Sequence, residues 1–416
     1  MIEVSETTLE NGLPLARLAM PGTRAVTLLV AFDAGARTER EEENGIAHFL
    51  EHLVFKGGEQ YPTYREVMHT AERLGAQLNA FTTHDSVAFH VTCRAEAAMD
   101  AAELLTDFVA RPHVGAAELE RERGVVLQEI ARTADQPAAL ASMLLDRAAH
   151  GDHPLGRPVL GPPEHLRTFS RAQVLDFMER RWAPSRGGAF VAGDVSKVDI
   201  PRLAELLGRF PARPEPAAAE RAPRFERRVT VAERETNQSH LRLHWHVPID
   251  PADLPARAAL AVYTTLLGGS MGSRLFEEIR EERGLCYSIS AYGYAHADTT
   301  SLTISAGLES AKAGEAYERM LEIVAELSAD GTRPQEVERA RAYAAGALVL
   351  SFERTMTVAS RTAAGRIAFG ELRSPDETVA ALDAVTEADV REIARTISGP
   401  PSVGCVGPHR EAEFAA

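Results

Sequence analysis

Two stretches of this chain echo each other at a nearly constant distance, and that repeat restricts the fold more than any other feature. LLTDFVARPHVGAAELERERG (104–124) is answered by MLEIVAELSADGTRPQEVERARA (320–342), an offset of 218 when Glu118 is set against Glu336. TFSRAQVLDF (168–177) and AVTEADVREI (384–393) match at an offset of 216. Such spacing predicts a duplicated fold of roughly 200 residues per copy, each large enough for its own core. Between the copies, PARPEPAAAERAPRF is rich in Pro and Ala and has no periodicity, which marks a linker. The expected organisation is therefore a domain over residues 1–210, a linker over 211–225 and a homologous domain over 226–416.

Within the first copy, strand-like runs lie near Thr7–Leu9, Leu15–Leu18 and Val26–Phe32, with an Asn11-Gly12 turn signal joining the first two. Gln77–Phe81, Val87–Thr92 and Gly187–Val195 read as further strands. Helical periodicity occupies residues 45–56, 63–74, much of 95–150 and 170–181. This mixture predicts an α+β fold class: two layered α/β domains, each a sheet packed by helices. Hydrophobic residues at 45% and charged residues at 25% suit two globular cores rather than a disordered chain. A formal charge of −15 argues against nucleic-acid binding, which rests on neutralising phosphates. Three scattered cysteines give no disulfide framework, and no apolar run reaches membrane-spanning length. With no secretory or presequence pattern at the start, a cytoplasmic location without membrane association is expected.

The segment His48-Phe49-Leu50-Glu51-His52 places two imidazoles one helical turn apart, where both can reach one ion. Glu51 lies about 60° around the helix from His48, close enough to act on a water at that ion. Ile46, Phe49, Leu50, Leu53 and Val54 form an apolar stripe largely on the other side. The bland alternative is a solvated face that happens to carry two histidines. A catalytic zinc usually has a third protein ligand, and AELERERGVVLQEIART (117–133) offers Glu122 and Glu129, nearly eclipsed beside an apolar stripe. Spacing does not choose between these two glutamates. At the repeat offset of 218, His48–His52 falls on Leu266–Ser270 and Glu129 on Ala347, so only the first copy can hold a metal there.

HFLEHLVFKGG, followed 77 positions after His52 by Glu129 inside ERGVVLQEI, resembles the pitrilysin-type metallopeptidase family with its inverted zinc motif. The resemblance extends to LGAQLNAFTTHD (74–85), HPLGRPVLGP (153–162), GGSMGSRLFEEIREERGLCYSI (268–289) and the duplication, as in the mitochondrial processing peptidase. It implies one zinc per chain, Zn2+ held by His48, His52 and Glu129, with Glu51 as general base and Glu122 as a carboxylate orienting a ligand histidine. It further implies peptide-bond hydrolysis of unfolded peptides or of precursor and leader peptides. Arg280 and Tyr287 match a family pair, seven residues apart in the second domain, that binds substrate. Asn79 and Ala80 match the family's substrate-binding edge strand, where a peptide can add as a further strand. Val87 and Phe89 stand where relatives often carry Thr and Tyr, so a hydroxyl contact there is not expected.

Relatives of this length form half of a closed chamber, which implies a homodimer or a heterodimer with a related subunit. Two other readings compete: a non-catalytic scaffold subunit, and a zinc lyase of the S-ribosylhomocysteine type. The first would show a lost ligand or base; the second is a short single-domain chain with a functional cysteine. Neither description suits this chain. GGSMG (268–272) lacks the Gly-Lys-Ser/Thr ending of a phosphate loop and reads as a tight turn. His240, His244 and His246 alternate along an expected strand with no carboxylate or cysteine partner apparent.

Overall fold

The computed structural model describes residues 2–222 and 225–415. Residues 223 and 224 of the expected linker, and Met1 and Ala416 at the outer ends of the expected domains, lie outside the described residues.

Six strands, β1 (Glu3–Thr8), β2 (Pro14–Ala19), β3 (Ala25–Phe32), β4 (Gln77–Thr82), β5 (Val87–Arg94) and β6 (Gly187–Gly193), form one sheet in the order β1-β2-β6-β3-β5-β4. Five more, β7 (Val229–Glu233), β8 (Gln238–Val247), β9 (Cys286–Ala295), β10 (Thr300–Glu309) and β11 (Ser402–Gly407), form a second in the order β7-β11-β8-β10-β9. Set β2, β6, β3, β5, β4 against β7, β11, β8, β10, β9 and every neighbour relation matches. The pairs β2·β6 and β7·β11 are parallel, and the others are antiparallel. The duplication echoed in the helices is thus a duplication of sheet topology.

The helices of the first copy are α1 (Ile46–Val54), α2 (Tyr64–Leu74), α3 (Ala98–Ala110), α4 (Ala116–Asp135), α5 (Pro137–His150), α6 (Pro163–Thr168), α7 (Arg171–Arg181) and α8 (Ile200–Leu207). Those of the second are α9 (Leu254–Thr264), α10 (Ala313–Ala329), α11 (Glu336–Ser351), α12 (Thr355–Phe369), α13 (Pro375–Asp383) and α14 (Glu387–Thr396). Two turns of π type follow α9, at Thr265–Gly269 and Phe276–Glu282. GGSMG ends the first of these and runs into a turn, and Gly268 packs so close to β9 that a Cβ there would meet Ala291 N at 2.6 Å.

The chain folds into two compact units that do not follow the sequence strictly. One comprises Met1–Ile130, Pro158–Glu220 and Ser351–Glu377; the other comprises Ala131–Arg157, Arg221–Leu350 and Thr378–Ala416. Each therefore takes a helix from the other copy: α12 packs on β3 and β6, and α5 on β11, β8 and β7. In the first unit, both sheet faces are apolar. One meets α1, α3, α7 and α8 through Phe49, Leu53, Leu105, Phe108 and Phe177; the other meets Val358, Ala359 and Ala363 of α12 through Leu29, Ala31 and Ala88. In the second unit, Leu243, Trp245, Leu302 and Ile304 pack beneath α9, α10 and α14, but the opposite face of the sheet is polar.

That polar face carries His240, Arg242, His244 and His246 at alternate positions of β8, as period-2 geometry requires. His244 is buried, stacked on Phe225 (6.0 Å) and edge-on to His150 (5.5 Å). Burial, reinforced by His246 and His296, pulls its pKa down to about 3. Above pH 6.5 the imidazole is neutral whether the chain is folded or not. Below that, the unfolded chain takes a proton that the folded chain refuses until about pH 3, so stability falls with pH through this window. Denaturant midpoints should accordingly decline from pH 7 to pH 5, and decline less in His244→Phe; equal slopes would remove His244 as a source.

Candidate metal centre

Helix α1 is seated by its apolar stripe. Ile46, Phe49, Leu50, Leu53 and Val54 are all fully buried, each burial contributing roughly 1.5–3 kcal/mol for the larger side chains. Its first residue follows Gly45, whose φ is +100° and where an added Cβ would stand 2.8 Å from Gly161 Cα, leaving no room for a side chain. Buried N–H groups at the start of the helix that lack a helical partner are met by Glu39, whose side chain accepts from Gly45 N (2.9 Å) and Ala47 N (2.8 Å), and also from Asn44 Nδ2 (2.9 Å). Burial drives the Glu39 pKa up to about 8, against the pull of those same donors. Glu39 was not among the residues expected from the sequence, because its contact spans a loop with no spacing rule.

With one face fixed, the other presents His48, Glu51 and His52. The two imidazoles meet edge to face with centroids 4.7 Å apart. Helix α4 brings up both glutamates, and the structure separates their roles where spacing did not. Glu129 Oε2 lies 3.4 Å from His52 Nε2 and 3.8 Å from His48 Nε2. Glu122 is on the far side of His52, with Oε2 3.3 Å from Nδ1 and Oε1 2.7 Å from Lys56 Nζ. A proton on His52 Nδ1 directed at Glu122 leaves the Nε2 lone pair facing His48 and Glu129.

The donor set suits a divalent cation. One ligand atom from each of His48, His52 and Glu129 lies within 4.8 Å of the others. A tetrahedral ion with bonds of about 2.0–2.1 Å needs such atoms roughly 3.3 Å apart, and Glu129 Oε2 already stands 3.4 and 3.8 Å from the two imidazole nitrogens. His48 is a buried base whose Nδ1 has no partner among the described residues and whose pKa is pushed down to about 3 by burial, with His52 adding to it; a neutral imidazole is the form that ligates. Burial also opposes protonation of His52, but Glu122, Glu51 and Glu129 outweigh it and raise its pKa. Burial raises Glu122 too, but His52 and Lys56 overcome this and hold it ionised.

Glu51 sits beside these groups. Thr82 Oγ1, at the end of β4, donates to Glu51 Oε2 at 2.6 Å. Burial raises the Glu51 pKa; the Thr82 bond and His52 pull it back, while Glu129 pushes it further up. Thr82 continues the row Leu78, Ala80 that faces the helices, so strand alternation contained the signal that singles it out.

The comparisons with known proteins decide the family. The model for insulinase, peptidase family M16, matches residues 16–163, and the model for the peptidase M16 inactive domain matches residues 168–343. An uncharacterized zinc protease of Bacillus subtilis, YmxG, is 32% identical over 396 residues, covering 94% of each chain. The chain belongs to the M16 peptidase family. Another relative, an uncharacterized zinc protease of Mycobacterium tuberculosis, is 31% identical over 97% of this chain and 93% of its own. The fold is shared with a peptidase M16 inactive domain from Pseudomonas fluorescens (TM-score 0.88, 19% identity, 98% of both chains) and a protease from Helicobacter pylori (TM-score 0.86, 18% identity, 98% and 100%). The first family model includes residues that pack in the second compact unit, because α5 is exchanged.

The remaining expected site residues of this M16 chain lie on β4 and in the second unit. Asn79 and Ala80 are on β4, an edge of the first sheet, where Asn79 Oδ1 accepts from Ala80 N at 2.9 Å. Val87 and Phe89 are buried core residues. Arg280 lies over the Phe276 ring (4.5 Å), 3.6 Å from Glu281, and near enough to Cys286 to act on its thiol. Tyr287 begins β9 half exposed, at a bulge opposite Gly307 and Leu308. Its ring lies over Gly307, where a Cβ would stand 2.5 Å from Oη. Arg280 and Tyr287 thus share one end of β9.

Because Glu122 orients His52, Glu122→Gln should weaken zinc affinity by about 10–100-fold, measured by chelator competition on the folded protein. An unchanged dissociation constant would mean that His52 needs no such partner.

Proposed function

We propose that this chain is a zinc-dependent endopeptidase that hydrolyses peptide bonds in unfolded, precursor or leader peptides. The observation that carries the reading is the convergence of His48, His52 and Glu129 within 4.8 Å, beside a carboxylate held by Thr82. Zinc, when bound by that trio, supplies a Lewis acid to the reaction. Glu51 accepts the proton of the attacking water at a carboxylate oxygen and returns it to the leaving amine. Burial raises the Glu51 pKa above the usual carboxylate value, which makes it a stronger proton acceptor. Thr82 holds one oxygen of Glu51 and leaves the other for this transfer.

An extended peptide adds at the open edge of β4, where Asn79 exchanges its bond to Ala80 N for contacts with the incoming backbone. Arg280 and Tyr287, at one end of β9, take part in substrate binding. The working form is a dimer, of this chain or with a related subunit. Retention of the whole His-His-Glu set and of Glu51 speaks against a scaffold role. Three free thiols, Cys93, Cys286 and Cys405, support the cytoplasm as the compartment, and no helix among the described residues is long and apolar enough to cross a membrane.

Bound zinc per chain and cleavage of an unstructured peptide library, for wild type and Glu51→Gln, test the reading. One zinc in each, with cleavage by wild type alone, is expected; normal turnover by Glu51→Gln would refute the base. Thr82→Val should lower kcat by about tenfold with zinc content unchanged, as expected for losing one hydrogen bond to a charged group, and Thr82→Ser should restore it. A kcat that ignores both substitutions would leave Thr82 with no part in positioning Glu51.

A further inference from the structure

The polar face of the second sheet holds a cation, Arg242, that has no ion-pair partner among the described residues. Arg242 occupies the middle of β8, in register with Ser305 of β10 and, through it, Ser290 of β9. The rows on either side are His240, Gly307 and Ser288, and His244, Thr303 and Tyr292. No residue of this nine-position patch is acidic. Burial and the neighbouring arginine or imidazoles keep His240 and His244 neutral, so the guanidinium is the one formal charge there.

Arg242 donates to backbone carbonyls alone: Nη1 to Leu241 O (3.1 Å) and Ala306 O (3.3 Å), and Nη2 to Ala138 O (3.4 Å). Of its five N–H donors, Nε–H and one on Nη2 remain without an acceptor among the described residues. Those two nitrogens form a fork that matches a carboxylate. Burial lowers the pKa of Arg242, and Tyr292 and Tyr287 partly offset it. Tyr287 Oη reaches over Gly307, two positions along β10 from Ser305 and hence diagonal to Arg242. Tyr287 and Tyr292 are half exposed, so this side of the patch is open.

The fold does not need a cation here. The corresponding face of the first sheet presents Leu29, Ala31 and Ala88 to α12, buried and apolar. An arginine placed without a carboxylate in a partly buried sheet face costs solvation that three carbonyl bonds do not return in full.

We propose that Arg242, with the Tyr287 hydroxyl beside it, is a carboxylate-binding subsite for the peptide, taking its C-terminal carboxylate or an Asp or Glu side chain. This rests on the peptidase reading for the identity of the ligand, and the site itself is tested by binding alone.

The test uses the full-length Glu51→Gln protein, loaded with zinc, and a fluorescent unstructured peptide library made in three forms. One is amidated and free of Asp and Glu, one has a free C-terminus, and one is amidated with Glu at a single varied position. Anisotropy should show at least one carboxylate form binding about tenfold tighter than the neutral form, the value of a charge-assisted contact. Preference for the free C-terminus alone assigns the chain end; preference for the Glu form alone assigns a side chain. Arg242→Met on the same background should bring the ratio to about one, and Arg242→Lys should keep part of it. Equal binding of the three forms, or a preference that survives Arg242→Met in a protein of unchanged melting temperature, overturns the subsite. Should Arg242→Met fail to fold, the unsubstituted preference must shrink as ionic strength rises, and a salt-independent preference overturns it as well. Cleavage by the wild type is read separately. No cleavage alongside a carboxylate preference would defeat the peptidase reading and leave the subsite, and cleavage without preference would do the reverse.

Discussion

Helix α1 carries His48, His52 and Glu51, the two proposed ligands and the proposed base, and its seating governs how these side chains meet α4 and β4. The apolar stripe from Ile46 to Val54 is buried against the first sheet and its helices, which settles the rotation of α1 about its axis. Glu39 settles its start by accepting from two backbone amides of the first turn. A rotation of one residue, 100° on an ideal helix, would swing both imidazoles away from α4. Precision at the ion is therefore supplied by hydrophobic contacts and a cap several ångströms away from it. The surrounding polar groups act on the same principle, Glu122 aiming His52 and Thr82 aiming Glu51, so that each of these two is held by a neighbour outside the ligand trio.

The two copies of the fold have diverged in what they place on the same framework. Their sheets share strand order and sense, and each is covered on its second face by a helix from the other copy. Beneath α12 that face is apolar and closes a second core. On the second sheet it carries histidines, hydroxyls, tyrosines and Arg242 instead. A sheet that keeps one apolar face retains enough burial to fold, which frees the other face for recognition. The first copy spends its chemistry on α1 and α4, whereas the second has Leu266–Ser270 and Ala347 at the matching positions.

Much of this organisation was legible from the sequence, for reasons that differ by element. The echoes near residues 104 and 320 are long amphipathic helices, whose periodicity survives divergence because one stripe must stay buried. The strands around Val26, Gln77 and Val87 announce themselves by alternation and turn residues. His48, Glu51 and His52 share one helix, where 3.6-residue geometry alone brings them together. Glu39, Lys56 and the partnership of Thr82 with Glu51 were not legible in this way, since each joins elements whose relative placement no spacing encodes. The exchange of α5 and α12 was hidden for a similar reason: a helix's pattern records that it is buried, but not beneath which sheet.

By itself the sequence determined the duplicated α+β architecture, the helix bearing the HxxEH segment and the presence of two candidate glutamates. Local periodicity encodes these, because backbone geometry converts residue spacing directly into a shared face. Tertiary structure decided which glutamate meets the two imidazoles and which one steadies His52. It also decided that Arg242 has no carboxylate partner among the described residues. Those outcomes depend on distances between elements far apart in the chain, which follow from how complete helices and sheets pack and cannot be read from any single segment.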